Sequence, residues 1–336
     1  MCGPPLGGDI GDIGTRHPPD GRDTRSTVRA VRALLVANPS ATTTTAAGQD
    51  VIAHALASEI KLDVVVTRYR GHAAELAARA RAEAVDLVVV LGGDGTVNEA
   101  LNGLLADGPG EHVPALGVVP GGSANVFARA LGVPREPLEA THTLLGAIAE
   151  GRSRSVGLGR ADERWFSFNA GLGWDADVIA SMERARGRGH DATPTRYVAT
   201  SIRRWSRARV DPPDLTVEVQ GEEPVGGIHL ALVSNTDPWT YLGARPVRTN
   251  PGCSFDSGLG LFALHSLGLP TVLRLVRQVL RRDGAAGLPS VLRRDDVPAI
   301  RVTSDEPVNL QVDGDHLGER SDVEFVAVPD ALRVVV

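Results

Sequence analysis

Short apolar runs alternate with helix-like segments over the first half of the chain. The runs that predict strands, rich in Val, Leu and Ala, are 31–39, 62–67, 86–93 and 115–120. The segments that predict helices are 46–60, 72–83, 96–105 and 123–131. Nearly all-apolar strands that alternate with helices are typical of an α/β domain whose parallel sheet is buried on both faces.

The pattern changes after about residue 150. Short runs rich in Val, Phe and Leu, separated by turn residues, predict a mostly β region. These runs are 155–160, 164–171, 214–221, 226–235, 259–267 and 299–304. Two helical segments are predicted within this region, near 176–209 and near 270–294. We therefore expect an N-terminal α/β domain followed by a β-sandwich domain.

Three segments follow from these patterns. Residues 1–27 are rich in Gly, Pro and Asp and have too few large apolar side chains to order themselves, which predicts a disordered tail. Residues 28–150 are predicted to form the first domain. Residues 151–336 are predicted to form the second, whose C-terminal segment can return to the first.

Composition narrows the class of protein. The chain has 336 residues and a net charge of −6, which gives no overall basic field for nucleic acid. Cys2 and Cys253 form neither a CxxC motif nor a Cys/His cluster, so a reducing cytoplasm is expected. The sequence shows no secretory signal and no bilayer-spanning stretch, so a lipid substrate would be met at a membrane surface. Oligomeric state has no sequence signal.

The candidate chemistry centres on Leu91-Gly92-Gly93-Asp94-Gly95-Thr96-Val97-Asn98-Glu99, which follows a buried strand and opens a helix. Glycines allow backbone N–H groups to approach phosphate oxygens, and a helix N-terminus favours anions. A carboxylate at Asp94 suits a phosphate site when Mg²⁺ or a hydroxyl proton lies between them. The alternative is a glycine turn in which Asp94 caps a helix.

Three further polar segments lie where strands end. Asn38-Pro39-Ser40-Ala41-Thr42 follows the first strand and could bind phosphate or ribose, or form only an Asx turn. Pro120-Gly121-Gly122-Ser123-Ala124-Asn125 repeats the arrangement of a glycine loop before a helix. Asp313-Gly314-Asp315 is a candidate carboxylate pair or a simple hairpin turn. Together they indicate one shared crevice at the carboxyl ends of the strands.

These segments, over about residues 30–336, resemble the signature blocks of the diacylglycerol kinase catalytic superfamily, and above all its bacterial soluble lipid kinases, which are related to sphingosine kinases. The resemblance implies an NAD kinase/phosphofructokinase-like ATP-binding domain, a β-sandwich lipid domain, and a cleft between them. It also implies ATP and Mg²⁺ as cofactors. The implied nucleotide-binding residues are Asn38, Pro39, Ser40, Ala41, Thr42, Thr67, Gly92, Gly93, Asp94, Gly95, Thr96, Asn98, Glu99, Gly122, Ser123 and Asn125.

The resemblance also implies catalytic roles. The acidic residue that ends the DGD segment would be the general base, here Asp315, with Asp313 as the alternative and Asp94 as an aid to Mg²⁺. The chain has DGD where the family has DGE, which shortens the side chain by one methylene. Where the family commonly has Gly-Thr-x-Asn-Asp, the chain has Ser123 and Val126 at the second and last positions.

Two further sites are implied. Asp177 resembles a residue that binds the lipid headgroup in sphingosine kinases, although an acid in the first turn of a helix is also favoured by the dipole. The family's Asn-Asp-Gly metal loop corresponds here to Asp256-Ser257-Gly258, so Asp256, Ser257 and Leu259 are the candidate ligands of a structural Mg²⁺.

The sequence thus predicts an ATP-dependent lipid kinase acting on a diacylglycerol- or sphingoid-like hydroxyl, in the cytoplasm and peripherally at the inner membrane face. The alternatives are an NAD kinase-like enzyme and a non-catalytic lipid- or nucleotide-binding protein.

The pattern of segment 271–282 predicts a basic amphipathic helix. This helix could lie on an anionic bilayer or pack on the core. Its predicted apolar face is Val272, Leu275, Val276 and Val279, and its polar face is Arg274, Arg277, Gln278 and Arg281. A second basic cluster contains Arg184, Arg186, Arg188, Arg203, Arg204, Arg207 and Arg209.

Overall fold

The structure is a computed structural model that describes residues 1, 3, 31–41, 45–189, 193–280 and 288–336. Most of the predicted tail 1–27, the predicted site residue Thr42, and Arg281 lie outside these described residues. The elements below all belong to one compact unit, Val31–Val336. The predicted division into domains near residue 150 stays a prediction.

The four helices predicted in the first half of the chain are present within about three residues of their predicted bounds, and a fifth helix, Pro137–Glu150, was not predicted. The helices are α1 (Ala46–Ala57), α2 (His72–Ala82), α3 (Asp94–Leu104), α4 (Val126–Ala130), α5 (Pro137–Glu150), α6 (Trp174–Arg186), α7 (Pro194–Ala208) and α8 (Leu269–Val279). The strands are β1 (Arg32–Ala37), β2 (Lys61–Val66), β3 (Leu87–Gly92), β4 (Ala115–Pro120), β5 (Arg154–Ala161), β6 (Arg164–Phe166), β7 (Asn169–Gly173), β8 (Leu215–Val219), β9 (Val225–Ile228), β10 (Leu230–Ser234), β11 (Thr240–Leu242), β12 (Arg245–Val247), β13 (Leu259–Leu264), β14 (Val291–Val297), β15 (Ala299–Val312) and β16 (Asp315–Val334).

The first four strands form a parallel sheet in the order β4-β3-β1-β2. Alternate residues of β1 and β3 pack against α2 and α3 on one face and against α1 and α5 on the other, which explains why these strands are apolar after Arg32 at the start of β1. The expectation that all four strands are buried on both faces is wrong for β2. This strand lies at the sheet edge, and Val64 and Val66 are nearly half exposed.

The second half continues as an antiparallel path β14-β13-β10-β7-β15-β16. The mixed α/β fold with a β-rich C-terminal half is therefore as predicted. The helix predicted near 270–294 is wrong in its second part, because α8 ends at Val279 and Val291–Val297 is strand β14. β14 pairs with the buried strand β13, so cross-strand hydrogen bonds and packing override the local pattern.

The last strand connects the two halves. β16 pairs with β15 and β5 along most of its length, and near its end Val334 pairs in parallel with Leu116 of β4. The turn between β15 and β16 contains Asp313 and Gly314, both at positive φ (48° and 82°), a conformation that a tight hairpin requires. The DGD segment therefore forms a hairpin turn. Whether its carboxylates can also act in catalysis depends on where this turn lies relative to the glycine loops.

Candidate active site

The loops that follow β1 and β3 are joined by hydrogen bonds. Asn38 Nδ2 donates to Thr96 Oγ1 at 2.9 Å, and the Asn38 backbone N–H donates to the Leu91 carbonyl at 2.9 Å. The Ser40 N–H donates to Asn38 Oδ1 at 2.9 Å, which is the Asx-type bond. Asn38 therefore sets the shape of its own loop and also ties it to the helix that opens with Asp94.

The two glycine loops pack backbone against backbone. The Gly121 N–H donates to the Gly92 carbonyl at 2.8 Å. A Cβ at Gly122 would lie 2.7 Å from Gly93 Cα, so no larger residue fits there without a shift of the backbone. Gly95 differs, because a Cβ at Gly95 would meet nothing within 4 Å. A glycine at this position is therefore not required by packing inside the protein. It leaves free space over the start of α3.

Asn125 holds the second glycine loop in shape. It adopts a left-handed backbone (φ 48°), and its Oδ1 accepts from the Gly122 N–H at 2.9 Å while its Nδ2 donates to the Gly122 carbonyl at 2.6 Å. Ser123, between these two residues, is left exposed. The loop therefore presents a hydroxyl to solvent from a fixed backbone.

A cavity of about 740 Å³ opens over these loops. Its wall combines strand-end loops of the parallel sheet with α6 and the β15–β16 turn. The lining residues are Asn38, Pro39, Ser40, Ala41, Thr67, Arg68, Tyr69, Arg70, Gly93, Gly95, Thr96, Glu99, Gly122, Ser123, Glu183, Arg186, Gly187 and Asp315. The volume of this cavity lies within the range of small-molecule and cofactor sites.

The two carboxylates of the DGD segment have different surroundings. Asp313 is buried and is not among the described residues that line the cavity. Its carboxylate accepts five hydrogen bonds, whose donors are the backbone N–H groups of Ser167, Phe168 and Asn169, Ser167 Oγ and Asn98 Nδ2. Burial raises the pKa of Asp313, and the bonds from residues 167–169 oppose that rise.

Asp315 faces the cavity beside a cation. Arg70 Nη2 lies 3.4 Å from Asp315 Oδ1, and Arg70 Nη1 lies 3.1 Å from Glu183 Oε1. Burial raises the pKa of the Asp315 carboxyl, the positive charge of Arg70 lowers it, and the negative charge of Glu183 raises it again. A carboxylate in this environment can accept a proton from a group bound in the cavity.

Asp94 connects the first glycine loop to the start of α4. Its Oδ1 accepts from the Phe127 N–H at 3.3 Å, so it caps the neighbouring helix α4. Burial raises the pKa of Asp94 to about 6, the N–H groups at the start of α4 oppose this, and the charge of Asp313 adds to it. Asp94 is not among the described cavity-lining residues, so its catalytic role stays a prediction.

The predicted residues of α3 divide between cavity and core. Asn98 is fully buried, and its Nδ2 donates to Asp313 Oδ2 at 2.8 Å and to the Trp165 carbonyl at 3.0 Å. Glu99 lines the cavity, and its Oε2 accepts from the Ala73 N–H at 3.2 Å at the start of α2. Asn98 therefore joins the parallel sheet region to the β-rich half, whereas Glu99 is placed to act on a ligand.

Several cavity residues were not anticipated from the sequence. Arg68, Tyr69 and Arg70 follow directly after β2, at the same sheet edge as the other loops. Basic residues just after a parallel strand could have indicated these cavity residues, because ligands bind where parallel strands end. Glu183 and Arg186 come from α6, and no local pattern links them to the glycine loops.

Asp177 lies in the first turn of α6, and its Oδ1 accepts a hydrogen bond from Asn309 Nδ2. It is not among the described residues that line the cavity. The predicted contact with a lipid headgroup stays a prediction.

The predicted second Mg²⁺ site has few free ligands. Ser257 Oγ donates to the Ser254 carbonyl at 3.0 Å, Asp256 is exposed, and the Leu259 side chain is buried, which leaves only its carbonyl as a ligand. No group of three or more His, Cys, Asp or Glu side chains that could hold a metal occurs in the described part of the chain. This site remains a prediction.

A magnesium ion that arrives with a nucleotide has a better fit. Among the described residues, three carboxylates line the cavity, those of Glu99, Glu183 and Asp315. Protein-bound Mg²⁺ commonly takes one or two carboxylates and completes its shell with phosphate oxygens and water. The donor set therefore suits a metal–nucleotide complex rather than a metal held by protein alone.

Comparison with known proteins gives a consistent result. The sequence model of the diacylglycerol kinase catalytic domain matches residues 32–161. A diacylglycerol kinase of Bacillus subtilis (strain 168) is 29% identical over 275 residues, which cover 80% of this chain and 84% of that protein. A protein of Xanthomonas euvesicatoria pv. vesicatoria named "Probable lipid kinase YegS-like" is 31% identical over 282 residues, 82% of this chain and 86% of that protein.

A crystal structure of a diacylglycerol kinase from Bacillus anthracis str. Sterne superposes with a TM-score of 0.65 at 20% identity, covering 91% of this chain and 97% of that one. This likeness supports the fold. In the described residues, no helix combines the length and apolar character needed to cross a bilayer.

The chain belongs to the diacylglycerol kinase catalytic superfamily and is a lipid kinase, a phosphotransferase with an alcohol acceptor. The predicted class of enzyme is confirmed.

Proposed function

We propose that this lipid kinase binds ATP as its Mg²⁺ complex in the 740 Å³ cavity and transfers the γ-phosphate to the hydroxyl of a diacylglycerol- or sphingoid-like lipid held at a membrane surface. One observation carries the proposal: the glycine loops and Asp315, more than 190 residues apart in sequence, line the same cavity. A phosphate donor and a proton acceptor can therefore meet across it.

The nucleotide end of the cavity is complementary to a triphosphate. Gly93, Gly95 and Gly122 expose backbone, and α3 begins at the first glycine loop, so N–H groups and the positive end of the helix point toward the bound anion. Arg68, Arg70 and Arg186 supply further positive charge. This matches the requirement of phosphoryl transfer for positioning and charge neutralisation rather than covalent catalysis.

The acceptor end is assigned to Asp315. Its carboxylate takes the proton of the lipid hydroxyl as the oxygen attacks the γ-phosphorus, and the bond from phosphorus to the ADP oxygen breaks. Glu99 and Glu183 would be the carboxylates placed to hold Mg²⁺, which would neutralise phosphate charge when bound with the nucleotide. Asp313, saturated with hydrogen bonds, holds the turn that presents Asp315.

The test is a transfer assay with γ-labelled ATP and a total lipid extract, with mass identification of the labelled product. We expect a phosphorylated lipid from the native chain and a large loss with Asp315→Asn. Labelling of NAD in place of lipid, or ATP binding with no labelled lipid from any extract, would overturn the proposal.

A further inference from the structure

The apolar face of helix α8 is only partly covered. Val272 and Leu275 pack on the core, and the adjoining part of the same face is an exposed apolar stripe. The stripe consists of Leu269 (46% exposed), Leu273 (62%), Val276 (52%) and Leu280 (37%). Their spacing of four, three and four residues places them on one side of the helix. Val276, which the sequence places on the apolar face with Val272 and Leu275, lies in the exposed part of that face.

Positive charge flanks this stripe. Arg277 is exposed next to the stripe, Arg274 is exposed farther round the helix, and no Asp or Glu occurs between residues 268 and 280. An exposed helix face in contact only with water normally carries polar residues. Four large apolar side chains and two arginines instead indicate a surface that meets an apolar and anionic partner.

Helix α7 extends the same surface. Trp205 Nε1 of α7 donates to the Leu267 carbonyl, just before α8, at 2.8 Å. Both helices cover one core cluster that includes Leu232 and Phe262, so their outer faces point away from the same sheet. On α7, Val198 (57%) and Ile202 (58%) are exposed.

The charge of α7 and the residues beside it has one sign. Between residues 193 and 210 there is no acid, and the basic residues are Arg196, Arg203, Arg204, Arg207 and Arg209. The net charge of the whole chain is −6, so this region has a local charge opposite to that of the whole protein. It would be attracted to an anionic surface while the rest of the protein is repelled.

We propose that the outward faces of α7 and α8 form a docking surface for an anionic lipid bilayer. Leucine and valine side chains enter the boundary between headgroups and acyl chains, and the arginines pair with lipid phosphates. A second copy of the chain is a poorer occupant, because a symmetric contact would place arginines against arginines. A lipid kinase needs such a surface, since a long-chain acceptor resides in a bilayer.

The docking surface adjoins the wall of the cavity. Arg204 Nε of α7 donates to Ser181 Oγ of α6 at 2.6 Å, and Trp174 Nε1 of α6 donates to the Ser201 carbonyl of α7 at 3.1 Å. The end of α6 carries Glu183 and Arg186, which line the cavity. Docking through α7 would therefore bring this wall close to the membrane that holds the acceptor.

The test is co-sedimentation of the full chain with vesicles of phosphatidylcholine, with and without phosphatidylglycerol. We expect binding to the anionic vesicles, and about tenfold or greater weakening by the double variant Leu273→Gln/Val276→Gln. The matched control is Val51→Gln/Leu138→Gln, which changes two similarly exposed apolar residues on α1 and α5 and should bind as the native chain does. Arg274→Gln/Arg277→Gln should weaken but not remove the preference for anionic vesicles, because the arginines of α7 remain.

The measurement needs no turnover, so its result is independent of the proposed phosphate donor and base. Activity on a short-chain, water-dispersed lipid alcohol should be equal in the native chain and in Leu273→Gln/Val276→Gln. Equal vesicle binding by that variant and the native chain would overturn the proposal. The proposal would also be overturned if light scattering showed that the native chain is a dimer and the variant a monomer, with vesicle binding unchanged.

Discussion

The guanidinium of Arg70 lies 3.4 Å from the carboxylate of Asp315, although the two residues come from opposite ends of the chain. Arg70 follows the edge strand β2, and Asp315 begins β16. The same guanidinium contacts Glu183 at 3.1 Å. A cation that contacts the proposed base and also lines the proposed nucleotide cavity has two competing roles, because the phosphates of a bound nucleotide would attract it as well.

Arg70→Gln should shift the acid limb of the pH–rate profile. Burial raises the pKa of Asp315, and Arg70 lowers it. Loss of Arg70 therefore raises this pKa further, and a base with a raised pKa stays protonated to higher pH, so kcat/KM should begin to rise at higher pH. The KM for ATP should also increase. Steady-state kinetics over a pH series measures both effects.

The matched control is Arg79→Gln, which removes an exposed arginine that pairs with Glu83 on α2, outside the cavity lining. It should leave the pH profile unchanged. An acid limb that stays in place, or moves to lower pH, in Arg70→Gln would contradict the assignment of Asp315 as the base.

Substitution of the two carboxylates of the DGD turn should affect different properties, kcat for Asp315 and stability for Asp313. Asp315→Asn should lower kcat by about 10²–10⁴ with little loss of stability, because it removes a proton acceptor at the cavity wall. Asp313→Asn places an NH₂ group among five donors, and each buried donor left unpaired costs about 1–3 kcal/mol. Its thermal unfolding temperature should fall clearly.

Activity assays and calorimetry on both variants separate these effects. Equal loss of kcat in two variants of native stability would mean that Asp313 also takes part in the chemistry, against the inference drawn from its hydrogen bonds.

Substitutions of the glycine loops should separate ligand contact from folding. Gly95→Ala meets no protein atom within 4 Å, so the fold should be kept, while the added methyl should raise the KM for ATP about tenfold by blocking a close phosphate approach. Gly122→Ala would contact Gly93 Cα at 2.7 Å and should reduce stability. Gly146→Ala, also in open space but on α5, is the control. An unchanged KM in Gly95→Ala would remove this loop from the nucleotide site.

The parallel sheet and its loops could be predicted because their signals are local. The all-apolar strands β1, β3 and β4 reflect burial on both faces, and the paired glycines reflect backbone contact between neighbouring loops. The contact between Arg70 and Glu183 could not be predicted in this way, because it depends on how α6 packs in the β-rich half. β14 was missed for a similar reason, since its structure depends on the partner strand β13.

Asp175→Asn should stabilise the protein at high pH. Burial raises the pKa of Asp175 from 3.8 to about 7, and one hydrogen bond from Gln311 Nε2, at 2.9 Å, opposes this. The unfolded chain, with the lower pKa, loses its proton first. Ionisation of Asp175 therefore disfavours the folded state increasingly from about pH 4 to about pH 7, and the cost is constant above that.

The upper limit of this cost is about 4 kcal/mol, given the difference between the two pKa values. Asparagine keeps an acceptor for Gln311 and carries no charge, so the variant should gain stability at pH 8 and lose most of that gain by pH 4. Denaturant unfolding at both pH values measures the difference. Asp107→Asn, which removes an exposed carboxylate that pairs with Arg81, controls for the loss of one charge. A variant that is less stable than the native chain at pH 8 would mean that ionised Asp175 is favoured by its surroundings, contrary to the effect of burial.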